Sequence, residues 1–125
     1  MKIIIETIPH HRQRYPTVGD YWLDPDGTLQ VRISDMGNRT YEMLVVLHEL
    51  FELHWADRRG ITMEAIDAFD MAYETGRVAG DTSEPGDSKD CPVYEGHQMA
   101  TALERLAATF LGIDWNDYAD AVEQL

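Results

Sequence analysis

Val45-Val46-Leu47-His48-Glu49-Leu50-Phe51-Glu52-Leu53-His54-Trp55 is an apolar run broken by polar groups able to bind a metal. At 3.6 residues per turn, His48 and Glu52 project from nearly one face of a helix, and Glu49 lies about 100° round from His48. An unpaired buried carboxylate costs several kcal/mol, so two glutamates and a histidine set among Val45, Leu47, Leu50 and Phe51 require a cation or strong hydrogen bonds. A helix that is apolar on most sides is a buried one, and the remainder of the chain is expected to support it. His54 stands about 240° from His48 and should point elsewhere. Trp55 is expected to pack in the core.

Toward the amino terminus, Gly37-Asn38 breaks the preceding pattern and supplies an N-cap at Asn38, or at Thr40 if the start slips. The helix should run from near Arg39 to Arg58 or Arg59, with the arginines at the negative end of its dipole and Gly60 ending it. Before it, Tyr21-Trp22-Leu23, the turn Asp24-Pro25-Asp26-Gly27 and the alternating Thr28 to Ile33 predict a hairpin whose Leu29, Val31 and Ile33 share one face. That face needs a helix laid across it. The Ile-rich run Lys2 to Ile8 predicts a short strand stopping at Pro9, followed by His10-His11-Arg12 as a solvated loop.

Toward the carboxyl terminus, Thr62 caps a second helix running to Gly76, with Ile61 and Ile66 placed as a hydrophobic staple. Ile66, Phe69 and Tyr73 form its core stripe, and Asp67, Asp70 and Glu74 an acidic stripe expected to face solvent. Arg77 to Asp90 collects Gly80, Ser83, Pro85, Gly86, Asp87 and Ser88, a loop long enough to cover a site. Pro92 opens a third helix that ends at Gly112. Its expected core stripe is Met99, Leu103, Leu106 and Phe110, while His97, Thr101, Glu104 and Ala108 lie along a different one. Asp114 caps a last helix, with Ile113 and Tyr118 as its staple. The architecture predicted is α+β, a small antiparallel amino-terminal sheet of about three strands packed on a bundle of four helices.

The 125 residues are expected to form a single metal-binding domain, 1–125, with a core that needs no disulfide. Cys91 is the only cysteine, which excludes an intramolecular disulfide or a four-cysteine zinc site within one chain and fits a reducing, cytoplasmic setting. No stretch approaches the roughly 18 apolar residues of a membrane span, and Lys2 to Ile8 is too short for a signal peptide. A formal net charge of -13 would repel a phosphate backbone, so neither nucleic acid nor an anionic membrane is an expected partner.

A catalytic zinc takes three protein ligands and leaves a position for water. His48 and Glu52 supply two, and Glu49 is placed to accept a proton from that water. His97 is the choice for the third, since it lies just inside a helix after the loop, with Glu104 two turns on along the same face, able to ligate or to hold an imidazole. Asp87 is the alternative ligand from the loop, although Asp in a Pro-Gly-Asp-Ser run is commonly a turn residue. His48-Glu49-Leu50-Phe51-Glu52 reads H-E-x-x-E, and here the chain resembles the zincin-type metallopeptidases, with Glu52 where the common motif has a second histidine. The order of elements over roughly residues 20 to 110 is also similar to theirs. The resemblance implies a zincin-like fold, Zn2+ or another divalent transition metal, and a peptide or protein as substrate or partner. Glu84-Pro85-Gly86-Asp87 and Glu95-Gly96-His97 are similar to segments of small uncharacterised phage and prophage proteins, which implies no particular substrate.

The leading expectation is a single-metal hydrolase acting on a peptide or amide bond. Two other readings stand beside it. Glu49-x-x-Glu52 followed by Asp67-x-x-Asp70 resembles the paired acidic motifs of all-helical nucleotide pyrophosphatases, which bind magnesium through carboxylates. Alternatively, the metal or a buried His-Glu network staples a non-catalytic module that binds a protein. The oligomeric state is left open by the sequence.

Overall fold

Asn38 starts the central helix: its side-chain oxygen accepts from the backbone N–H groups of Thr40 and Tyr41 at 3.0 and 3.1 Å, satisfying two of the four free donors of that end. In the computed structural model, which describes residues 1–125, this helix, α1, spans Arg39–Arg58 and is closed where Gly60 takes φ 68°. Only glycine adopts that left-handed conformation without steric cost. The same logic sets the later helices. Thr62 Oγ1 accepts from the Ala65 N–H at 3.1 Å to open α2, Met63–Thr75. Asp114 accepts from the Asp117 N–H at 3.0 Å to open α4, Trp115–Glu123. Between them lies α3, Tyr94–Phe110. The structure is thus a small α+β fold of three strands and four helices, and no helix is long and apolar enough to cross a membrane.

The hairpin forms as its alternation predicts, with β2, Gly19–Leu23, antiparallel to β3, Leu29–Ser34. The sheet as a whole differs from the all-antiparallel expectation. Strand β1, Ile3–Ile8, pairs parallel with β3, and the order is β1-β3-β2. With β3 inserted between β1 and β2, those two run in opposite directions without pairing, and β1 must then lie parallel to β3. The connecting residues 9–18 step over the end of β3, where fully buried Ser34 pins them. Its hydroxyl donates to the Thr17 carbonyl at 3.1 Å, and its backbone N–H donates to the Val18 carbonyl at 2.8 Å.

One face of the sheet, carrying Tyr21, Val31 and Ile33, is covered by α1 through Leu44, Val45, Leu53 and Ala56, and these residues form one core. Each fully buried Val, Leu or Ile contributes roughly 1.5–3 kcal/mol. Helix α3 runs antiparallel to α1, with Glu104 beside His48 and Gly96 beside Trp55. A Cβ on Gly96 would lie 2.5 Å from the indole, so the glycine is what lets the helices approach.

The stripe of α3 that packs is not the expected one. Ala100, Glu104, Ala108, Gly96 and His97 are buried, whereas Met99, Leu103, Leu106 and Phe110 are exposed. Small residues permit the close contact with α1, and the polar residues on the buried stripe find partners there. Periodicity reveals both stripes but not which one has a neighbour.

Candidate metal centre

Because α1 is a regular helix, His48 and Glu52 stand one turn apart on it, and His48 Nε2 lies 3.1 Å from Glu52 Oε2. Helix α3 brings His97 against both, with its Nδ1 3.0 Å from Glu52 Oε2 and 3.0 Å from His48 Nε2. Three donor atoms therefore form a nearly equilateral triangle. Ligands on a tetrahedral zinc at about 2.0–2.1 Å are about 3.3 Å apart, so the triangle fits one face of such a site with slight compression. His48, Glu52 and His97 are all buried.

The outer atom of each residue is held in turn. His48 Nδ1 lies 2.7 Å from Glu104 Oε1, and the Tyr118 hydroxyl donates to the other oxygen of Glu104. The Tyr21 hydroxyl donates to Glu52 Oε1 at 2.7 Å. His97 Nε2 lies 3.0 Å from Glu84 Oε2 and 3.4 Å from Asp87 Oδ1, on a short 3-10 turn, Pro85–Asp87, that crosses the imidazole face at Gly86. Carboxylates on the outer nitrogens call for N–H groups there, which leaves the inner nitrogens with lone pairs in the neutral rings and with N–H groups in the protonated ones. Neutral rings would set three lone pairs against one another. No arrangement of protons satisfies all three edges, since two protonated imidazoles that both bond Glu52 would oppose N–H to N–H. A cation in place of the inner protons would resolve the conflict.

Without a cation the surrounding carboxylates favour the protonated rings. Burial alone would lower both imidazoles, but the bonds from Glu104 and Glu52 raise His48 well above its ordinary value. Those from Glu52 and Glu84 push His97 up to about 10. Burial would raise Glu52, but the two histidines hold it down to about 2. Tyr21 and Tyr118 are raised by burial and then by neighbouring glutamates, so both remain donors.

Glu49 differs from every other acid in the group. It makes no hydrogen bond, and burial, with a further push from Glu52, raises its carboxyl well above the usual range although His48 opposes the shift. It lies over Gly19 of β2, where a Cβ would sit 2.5 Å from Oε1. Glu49 lines a cleft of about 470 Å³ together with the donor triangle, residues Gly19 to Tyr21, and the inner side of α2.

The structure brings together His48, Glu52 and His97, with Glu49 beside them. Glu104 stands behind His48 rather than joining the donors or holding His97 on its own helix. Asp87 stands behind His97, and its second oxygen, Oδ2, accepts from the Glu84 N–H at 3.1 Å as a turn residue would. His54 is exposed, and His10 Nδ1 is taken up by Ser34 Oγ at 2.9 Å. The acidic stripe of α2 faces the cleft instead of bulk solvent. Arg14 bonds Asp67 at 3.2 Å, the Tyr15 hydroxyl bonds Asp70 at 2.9 Å, and Arg77 bonds Glu74 at 2.7 Å. The groups whose ligand atoms converge are His48–Glu52–His97 and Glu84–Asp87–His97, and Asp67 and Asp70 belong to neither. Sequence reasoning did not single out Tyr21, Tyr118 or Glu84 for the site. Neither a tyrosine in an alternating strand nor an acid in a loop carries a periodic mark.

Compared with known proteins, the chain matches no family model, no curated protein and no solved structure.

Proposed function

We propose that the chain is a zinc-dependent hydrolase of metallopeptidase type, zincin-like in its H-E-x-x-E helix, which cleaves a peptide or amide bond. The observation that carries this reading is the convergence of His48 Nε2, Glu52 Oε2 and His97 Nδ1 within about 3 Å of one another while their outer atoms are committed to Glu104, Tyr21 and Glu84. Zinc held by His48, Glu52 and His97 would supply a Lewis acid able to bring the attacking water toward a pKa of ~7.

The chain's own residues supply the rest. Glu49, unpartnered and raised by burial, accepts the proton of the attacking water as its oxygen bonds to the carbonyl carbon. It returns that proton to the leaving nitrogen as the C–N bond breaks. Glu104 and Glu84 keep the imidazoles in the ligating tautomer and orientation. A peptide is favoured as substrate because β2 is an edge strand and its residues Gly19 to Tyr21 line the cleft. The unpaired edge offers N–H and C=O groups to an extended chain.

The test combines metal analysis with hydrolysis of a mixed peptide digest. Wild type should hold one zinc per chain and cleave, and Glu49→Gln should hold the zinc while losing roughly 10²–10⁴ of the rate. Absence of stoichiometric metal would overturn the proposal. Zinc without hydrolysis would instead make the metal a staple of a binding module.

A further inference from the structure

Helix α3 turns its apolar stripe outward. Met99 is 48% exposed, Leu103 38%, Leu106 52% and Phe110 80%, while the polar His97 and Glu104 are buried. On α1, Met43 is 49% exposed, and Leu47 and Leu50 are half-buried on the row opposite Val45 and Glu49. The two rows belong to one surface. Antiparallel neighbours are related by an approximate twofold normal to the plane of their axes, and both helices turn their site residues to the side that carries the cleft. Their other sides therefore coincide, and no element covers them.

The middle of this face carries no carboxylate, and the exposed Glu95 and Asp57 lie at one end of the two helices. In the segments Met43–Ala56 and Gln98–Leu111 the acidic residues are Glu49, Glu52 and Glu104, all turned inward, although the chain carries a net charge of -13. The apolar side chains expose on the order of 600 Å², as large as the biggest patches on ordinary monomers. With flanking His54 and Ala102 the face approaches the ~800 Å² per partner of a standard interface.

We propose that this face pairs with a second copy of the chain, α1 and α3 of each copy packing about a twofold axis as a four-helix layer. A second copy is the occupant the charge pattern selects. Two strongly acidic chains meet with least repulsion where neither presents carboxylates, and the acid-free middle of the face has nothing to draw a basic partner. The pairing leaves both clefts open on the outer sides, and it does not depend on what the cleft does.

Sedimentation velocity of the full chain from about 1 to about 100 µM is the test. Wild type should sediment at twice the 14.3 kDa of one chain. Leu106→Glu and Phe110→Glu should each weaken pairing by roughly 30-fold or more with unchanged circular dichroism. Val78→Glu, at a residue 71% exposed in the loop after α2, should pair as wild type does. If a glutamate variant loses helical signal, the concentration dependence of wild-type mass and of its melting temperature decides the matter alone. A wild type of single-chain mass at the highest concentration overturns the proposal, whether or not it floats with phosphatidylcholine vesicles. So does a folded Leu106→Glu that remains paired.

Discussion

Nδ1 of His48 and Oε1 of Glu104 lie 2.7 Å apart, joining α1 to α3 across the buried centre. That contact sets which nitrogen of His48 carries a proton and so which one is free for a metal. Glu104→Gln keeps the shape but removes the charge, and its amide can turn a donor toward the ring. Zinc affinity should fall 10- to 100-fold, read by competition with a chromophoric chelator. Unchanged affinity would mean that Glu104 does not position the ligand.

Zinc should act as part of the fold. At a free concentration a thousand times its Kd, binding contributes about 4 kcal/mol, which for a domain of this size raises Tm by on the order of 10 °C. Calorimetry of chelator-treated protein with and without zinc checks this. His48→Ala should abolish the rise, and an equal rise in both proteins would place the metal elsewhere.

The pH dependence has a definite sign. His97 is raised from 6.5 to about 10, so its contribution to metal-free stability is complete below 6.5 and is lost as pH rises through about 10. Glu52 is lowered from 4.5 to about 2, so its contribution is present above 4.5 and is lost as pH falls through about 2. The metal-free protein should therefore lose stability from pH 6.5 upward. Zinc displaces the inner protons, so its stabilising increment should grow over the same range, by up to about tenfold in affinity per pH unit for each proton released. Urea midpoints with and without zinc at pH 6 and pH 9 test this, and a constant increment contradicts it.

Gly19→Ala separates the base from the ligands. The added Cβ would meet Glu49 Oε1 at 2.5 Å and displace the carboxyl, at an overpacking cost of about 1–3 kcal/mol. Zinc binding should persist while peptide hydrolysis falls at least tenfold. Full activity in Gly19→Ala would remove Glu49 from the catalytic step.

Much of this was legible in the sequence because it is local. Asn38, Thr62, Asp114, Gly60 and Gly112 mark helix ends through hydrogen bonds and backbone angles that depend only on neighbours in the chain. The one-turn spacing of His48 and Glu52 and the rotation of His54 away from them follow from helix geometry. His97 could be proposed from its place after the acidic loop, but its partner could not. The residue behind it is Glu84 of the covering turn, while Glu104, on its own helix, serves His48.

The elements, most of their ends and the polar face of α1 could be read without the fold, since those arise from short-range sterics and hydrogen bonding, although α3 opens at Tyr94 rather than at Pro92. Tertiary structure alone decided that β3 separates β1 from β2, which makes the sheet mixed. It alone decided that Tyr21 and Tyr118 complete the buried network, and that α3 packs through its small and polar stripe. Each depends on which surfaces meet, and that is settled by the sum of close approach and satisfied buried polar groups rather than by the apolar content of any one stripe.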